Sequence, residues 1–280
     1  MHTAQAVQTP HAGTAIGAVR LAVRDRARVA DFYRNAIGLE TLPGTDDGTV
    51  LRLGTGRRTL VELVSAPDAH PAPRNASGLY HLAVLVPDRA ALAAAIARVS
   101  AANARFQGAA DHLVSEAIYL ADPEGNGIEI YRDRPRAEWR YRDQQLEMAT
   151  LPLDLDGVMS DLPDGPVSAH VPGDTRIGPI HLRVDDLAAA RRFHVGVLGL
   201  DATVDGLPGA LFVSAQGYHH HIGLNTWTSR QPAPSGCLGL VDYELIVPDA
   251  ATRRAIAERS GADGSGLRDP AGNHPRITVG

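Results

Sequence analysis

Cysteine is nearly absent from this 280-residue chain, where Cys237 stands alone. One thiol excludes an intrachain disulfide and an all-cysteine metal site. No apolar run approaches the roughly 18 residues that a membrane helix needs. Residues 1–15 lack the basic start and apolar core of a signal peptide and read as a disordered lead. Basic charge is short as well. Lys plus Arg number 27 against 32 Asp plus Glu, a formal net charge of −5, so the basic footprint of a nucleic-acid binder is missing. No glycine-rich phosphate loop, serine nucleophile elbow or paired-cysteine motif occurs, and Gly54-x-Gly56 is too short a signal to count. What is present is ordinary globular composition, 44% hydrophobic and 21% charged, in a length that predicts one large domain or two ordinary ones. That length buries a sizeable core without disulfides. These features predict a soluble, cytoplasmic protein with neither nucleic-acid nor membrane partners. The chemically interesting residue that is plentiful is histidine, with 12 copies.

The chain repeats itself. Ile16-Gly17, Phe32 and Gly38-Leu39 recur at one constant offset as Ile177-Gly178, Phe193 and Gly199-Leu200. Val86-Pro87-Asp88 recurs at that same offset as Val247-Pro248-Asp249. Asp122-Pro123-Glu124-Gly125-Asn126 returns sooner, as Asp269-Pro270-Ala271-Gly272-Asn273, so the last unit is shorter. A fixed-period repeat means a duplicated architecture.

Each half divides again. Val19–Val23 alternates as a strand does. Val29, Phe32, Tyr33 and Ala36 fall at helical spacing over 26–36, and Gly38 ends the helix. Alternating apolar pieces at 49–53 and 59–63 complete a strand–helix–strand–strand–strand unit. A second unit opens at Leu79. Its strand is 80–86, its helix is capped by Asp88 and lined by Leu92, Ile96 and Val99, and its last strands, 117–120 and 127–131, flank an Asp122–Asn126 turn. The spacing predicts an α+β fold of four tandem βαβββ modules in two paired-module domains. The modules span 16–66 and 79–132 in a first half over 16–132, then 177–227 and 238–280 in a second half over 177–280. Residues 133–176 form an acidic, proline-dotted linker.

Four such units resemble the vicinal-oxygen-chelate superfamily of glyoxalases, bleomycin resistance proteins and extradiol dioxygenases. The resemblance covers residues 16–280 and is nearest to the two-domain catechol 2,3-dioxygenases. It is carried by Leu79-Tyr80-His81-Leu82-Ala83, by 111–119, by 122–131 and by Gly217-Tyr218-His219-His220-His221-Ile222-Gly223-Leu224-Asn225. Fold alone does not settle function, because this superfamily hosts several chemistries.

The metal can be argued from the residues. Non-heme Fe(II) oxygenases use two histidines and one carboxylate on one face, with positions left open for O2 and substrate. His81 lies in the first strand of unit two, and His181 holds the same place in unit three. Glu129 lies in the closing strand of unit two. The corresponding places elsewhere hold Arg20 in unit one and Asp242 and Arg276 in unit four, and arginine does not ligate a divalent cation. One metal site per chain is expected, held by His81, His181 and Glu129. It requires unit two to pair with unit three, and unit one with unit four, leaving the second pair a degenerate copy.

The resemblance implies further roles. Enzymes of this kind carry an acid–base histidine near bound oxygen, and His220 aligns best with it, with His221 as the fallback; either is also a candidate fourth ligand. Tyr119 matches a tyrosine placed beside a catecholic oxygen, and His112 a histidine that holds the substrate hydroxylate. The implied activity is Fe(2+)-dependent extradiol cleavage of a catechol-type diol by O2 in aromatic compound catabolism. Mn(2+), Zn(2+) and Ni(2+) are the alternative ions, and the architecture commonly forms homodimers. Two other readings stay open: a glyoxalase-like metal-dependent lyase or isomerase, and a non-catalytic small-molecule-binding protein.

Overall fold

The computed structural model describes residues 13–45, 48–56, 58–142, 145–261 and 266–280. Most of the expected lead, residues 1–12, lies outside the described residues, and Ala15 already belongs to the first strand.

Module one contains β1 (Ala15–Val23), α1 (Arg26–Phe32) running on into a π-helical turn (Tyr33–Ile37), β2 (Glu40–Leu42), β3 (Val50–Thr55) and β4 (Arg58–Ser65). Module two contains β5 (Gly78–Leu85), α2 (Arg89–Ala101), β6 (Phe106–Asp111), β7 (Ser115–Ala121) and β8 (Gly127–Asp133). The connecting stretch carries β9 (Tyr141–Arg142), β10 (Gln145–Leu146) and α3 (Leu155–Met159), so it has more structure than a plain linker. Module three contains β11 (Arg176–Arg183), α4 (Leu187–Arg191) with a π-helical continuation (Arg192–Val197), β12 (Asp201–Asp205), β13 (Ala210–Ser214) and β14 (Ile222–Asn225). Module four has only β15 (Gly239–Val247), α5 (Ala250–Ser260) and β16 (Pro275–Val279). The expectation of four complete βαβββ modules is therefore corrected. The shortened last repeat has no room for the two middle strands, and among the described residues they are absent.

One device starts every module helix. Asp25, Asp88, Asp186 and Asp249 each accept a hydrogen bond from a backbone N–H of the first turn, satisfying donors that a helix start leaves free. The two Asp-Pro-x-Gly-Asn turns are also built alike. In each, the aspartate accepts from the backbone and side-chain amides of the asparagine four residues on, Asp122 from Asn126 and Asp269 from Asn273.

The strands form two large sheets. The order β16-β15-β1-β4-β3-β2 joins modules four and one, and β12-β13-β14-β11-β5-β8-β7-β6 joins modules three and two. The junctions are the antiparallel pairs β1–β15 and β5–β11. Ridges of Val19, Leu21, Leu63, Leu82, Val84, Ile130, Ile180 and Leu182 belong to one contiguous buried cluster that includes residues of both sheets. Each such side chain contributes roughly 1.5–3 kcal/mol on burial. No helix among the described residues is long and apolar enough to cross a membrane.

In the one–four sheet, the places of the missing ligands hold ion pairs. Arg20 bridges Glu62 at 2.8 Å and Asp242 at 3.3 Å, and Arg276 reaches Asp242 at 2.6 Å. Glu62 and Asp242 are buried, and the arginines supply the positive charge that such carboxylates require.

Candidate active site

The two–three sheet places its chemistry at the β5–β11 junction. His81 and His181 stand directly opposite each other in the antiparallel register. Their ring centres lie 4.9 Å apart with perpendicular planes. β8 runs parallel to β5 and brings Glu129 alongside, with Glu129 Oε2 3.1 Å from His81 Nε2. All three side chains are buried, at 7% exposure for His81, 4% for His181 and 6% for Glu129. They line a cavity of about 590 Å³ that also takes in His112, Tyr119, His219 and His220. His221, the fallback for His220, is outside the lining; its Nδ1 bonds the Ser214 hydroxyl at 2.8 Å.

Two glycines make the convergence sterically allowed. A Cβ on Gly223 would meet the His181 ring at 2.9 Å, and one on Gly127 would lie 2.1 Å from the Tyr80 carbonyl oxygen. Strand β14 passes tightly over His181 because residue 223 has no side chain.

A chain of hydrogen bonds runs from Glu129 to the connecting stretch. Tyr119 donates to Glu129 Oε1 at 2.9 Å, His112 Nε2 lies 2.6 Å from the Tyr119 hydroxyl, and His112 Nδ1 lies 2.7 Å from the Ala149 carbonyl. The carbonyl only accepts, so Nδ1 carries a proton. Tyr119 has one proton and spends it on Glu129. On the opposite wall, His219 Nε2 bonds Asp133 Oδ1 at 2.9 Å and its Nδ1 lies 2.7 Å from His220 Nδ1. Asp133 Oδ2 accepts from Tyr218 at 2.9 Å.

Burial alone would raise the Glu129 pKa. The hydrogen bond and charge of His81, the charge of His112 and the Tyr119 bond outweigh it and hold the carboxyl below its usual range. Burial pushes His181 and His220 well below the ordinary histidine range, and neighbouring histidines add to both shifts. Both imidazoles are therefore neutral at pH 7, the form that binds metals or accepts protons. Burial, then the Glu129 charge, raises Tyr119 and keeps it a phenol. No three His, Cys, Asp or Glu side chains among the described residues stand ready to enclose a cation. His81 and Glu129 are bonded to one another, and the Asn225 amide lies 3.1 Å from His181 Nε2.

The family model described as Glyoxalase/Bleomycin resistance protein/Dioxygenase superfamily matches residues 15–130. A "Catechol-2,3-dioxygenase" of Bacillus subtilis (strain 168) is 43% identical over 255 residues, covering 89% of this chain and 88% of that relative. The chain belongs to this superfamily. Its likeness to the Bacillus protein makes it a catechol 2,3-dioxygenase-like oxidoreductase. Two solved structures share the superfamily fold at identities that speak for the fold alone. A putative dioxygenase from Bacillus subtilis subsp. subtilis str. 168 aligns with TM-score 0.59 at 16% identity, over 87% of this chain and 74% of its own. Glyoxalase I from Zea mays aligns with TM-score 0.54 at 14% identity, over 89% and 80%.

The sequence pattern points to His81, His181, Glu129, Tyr119, His112 and His220, and these six meet around one cavity. The alternating run His220-His221-Ile222-Gly223-Leu224 reads in the sequence as a strand that begins at His220 and sends His220 and His221 to opposite faces. The structure corrects this, since β14 begins at Ile222 and residues 219–221 are irregular. Two-residue alternation therefore does not order the three histidines, and His219 reaches the cavity beside His220. Tyr80 and Asn225 lie inside the resemblance-bearing stretches without a role of their own there, and Asp133 and Trp227 lie outside them. They join the site through β8, through β14 and through packing across the β5–β11 junction.

Proposed function

We propose that this chain is an Fe(II)-dependent extradiol dioxygenase that cleaves a catechol-type diol beside its hydroxyl-bearing carbons. The observation that carries the reading is the cross-strand His81–His181 pair with Glu129 bonded to His81, buried at one end of an open cavity. The donor set fits such an ion. Two neutral-capable imidazoles and one ionised carboxylate are the set used by non-heme Fe(II) oxygenases. The 3.1 Å His81–Glu129 contact is close to the roughly 3 Å between adjacent ligand atoms around an ion with bonds near 2.1 Å. Binding would exchange the His81–Glu129 and His181–Asn225 bonds for ligand bonds. When bound, ferrous iron supplies the Lewis-acid and redox chemistry by which a diol reacts with O2.

The chain's own groups do the rest. His112 and Tyr119 form one wall, and the phenol, kept protonated, donates a hydrogen bond to a diol oxygen or to Glu129. His220, neutral and backed by His219, accepts a proton from a diol hydroxyl and returns it to the developing product. Both atoms of O2 enter the product, a 2-hydroxymuconic semialdehyde-type acid, so no further reductant is consumed.

Anaerobic reconstitution with Fe(II), followed by O2 uptake with a panel of catechols, tests the reading. One iron per chain, with one O2 consumed per diol, is expected. Turnover that needs zinc or nickel and no O2 would move the chain to the lyase reading. Ligand binding without any conversion would leave a binding protein.

A further inference from the structure

The cavity is far larger than one catechol ring, and its large exposed apolar side chains gather on one part of its rim. At about 590 Å³ it falls within the roughly 300–1,000 Å³ that houses drug-sized ligands. Phe212 lies inside, and Tyr80, Leu207 and Trp227 form an apolar rim of the same cavity. These three rim residues are exposed at 40%, 42% and 47%, and such a cluster of exposed large hydrophobic groups marks a binding surface. The rim is continuous with the histidines. Tyr80 lies 5.1 Å from His181 and 5.5 Å from Trp227, and Trp227 lies 5.6 Å from His181, ring centre to ring centre. The Trp227 indole N–H is fixed to the Pro208 carbonyl at 3.2 Å, so the ring is held in place at the mouth. No arginine lines the cavity, and the chain contains no lysine. Glu129 is its one carboxylate, and the rim formed by Tyr80, Leu207 and Trp227, with Phe212 inside it, has no charged side chain of its own to pair with an anionic substituent.

We infer that the natural substrate is a catechol bearing a bulky, uncharged apolar group, aryl or branched alkyl, that seats against Tyr80, Leu207, Phe212 and Trp227. This rests on the diol-cleaving reading, with the diol end beside His81, His181 and Glu129. The substituent then lies on the aromatic rim and replaces water there, which contributes affinity in proportion to the apolar area covered. A carboxylated catechol would bring its charge against the same uncharged rim, where the carboxylate loses water without gaining an ion-pair partner.

The test separates binding from turnover. Calorimetry on the metal-free protein measures dissociation constants for 2,3-dihydroxybiphenyl, catechol and 2,3-dihydroxybenzoate. The iron-loaded enzyme then gives kcat/KM for the same three. We expect the aryl diol to lead catechol by about tenfold or more in both measurements, with the carboxylated diol last. Leu207→Ala and Trp227→Ala, both at exposed positions, should shrink the aryl-to-catechol ratio while circular dichroism stays unchanged. Equal or better binding and turnover of catechol or of the carboxylated diol overturns the inference while leaving diol cleavage standing. An aryl preference in binding that both variants abolish, with no diol ever cleaved, upholds the apolar subsite and defeats the diol-cleaving reading instead.

Discussion

At the residue scale, burial decides which side chains do chemistry. Glu129 is kept ionised by His81, His112 and Tyr119 against the cost of burial, which is the form the proposed ligand role requires. Glu129→Ala should lose most of the bound iron, read by metal analysis, with the dichroism spectrum unchanged. Full occupancy would remove Glu129 from the ligand set. His220 should behave differently. His220→Ala is expected to keep its iron and slow turnover by roughly 10²–10⁴-fold, the range for a general acid–base group. His221→Ala should be milder, since that ring bonds Ser214 away from the cavity. Wild-type rates in the His220 variant would show that the histidine run is structural.

His194 gives a pH prediction remote from the cavity lining. It is fully buried, its Nδ1 bonds the Ala190 carbonyl, and its Nε2 has no hydrogen-bond partner among the described residues. Burial pushes its pKa down to about 4. The unfolded chain takes up this proton below about 6.5, whereas the fold resists it until about 4, so stability is complete above the first value and is lost as pH falls to the second. The loss is on the order of 3 kcal/mol. Thermal melts between pH 7 and 4 should show a shallower acid decline in His194→Leu. An identical decline would mean that other groups carry it.

At the element scale, the site depends on how closely three strands approach. Gly223→Ala sets a methyl group 2.9 Å from the His181 ring. The ring has to turn, because ordinary van der Waals contact lies nearer 3.5–4 Å. This variant should fold and bind iron at least several-fold more weakly, measured by chelator competition. Unchanged affinity would show that His181 has freedom to move or is no ligand. The sequence signals these elements well. The capping aspartates, the two Asp-x-x-x-Asn turns and the alternating apolar strands all appear in it, because each is set by residues a few positions apart. It misses the irregular backbone at 219–221, where the His219 carbonyl accepts from the Thr203 hydroxyl and the His221 N–H donates to the Val213 carbonyl.

At the scale of the whole molecule, each large sheet draws strands from both halves of the chain. β5 needs β11, and β1 needs β15. A fragment of residues 1–140 thus exposes two sheet edges that the intact protein pairs, and unpaired edges invite aggregation. Expressed alone, it should show little native dichroism or cooperative melting; co-expressed with 141–280, it should recover both. A cooperatively folded lone half would contradict the crossed pairing.

The duplication, the module order and the candidate ligands His81, His181 and Glu129 were legible in the sequence alone, through repeated spacing and residue type. Crossed pairing was legible too, but only by elimination, because Arg20, Asp242 and Arg276 cannot serve as a ligand set. Only the tertiary structure decided what those three do, as ion pairs joined with Glu62. It alone placed His219 and Asp133 behind His220 and assembled the aromatic rim of Tyr80 and Trp227. These arrangements depend on contacts between strands far apart in the chain, and short-range periodicity carries no information about which distant side chains meet.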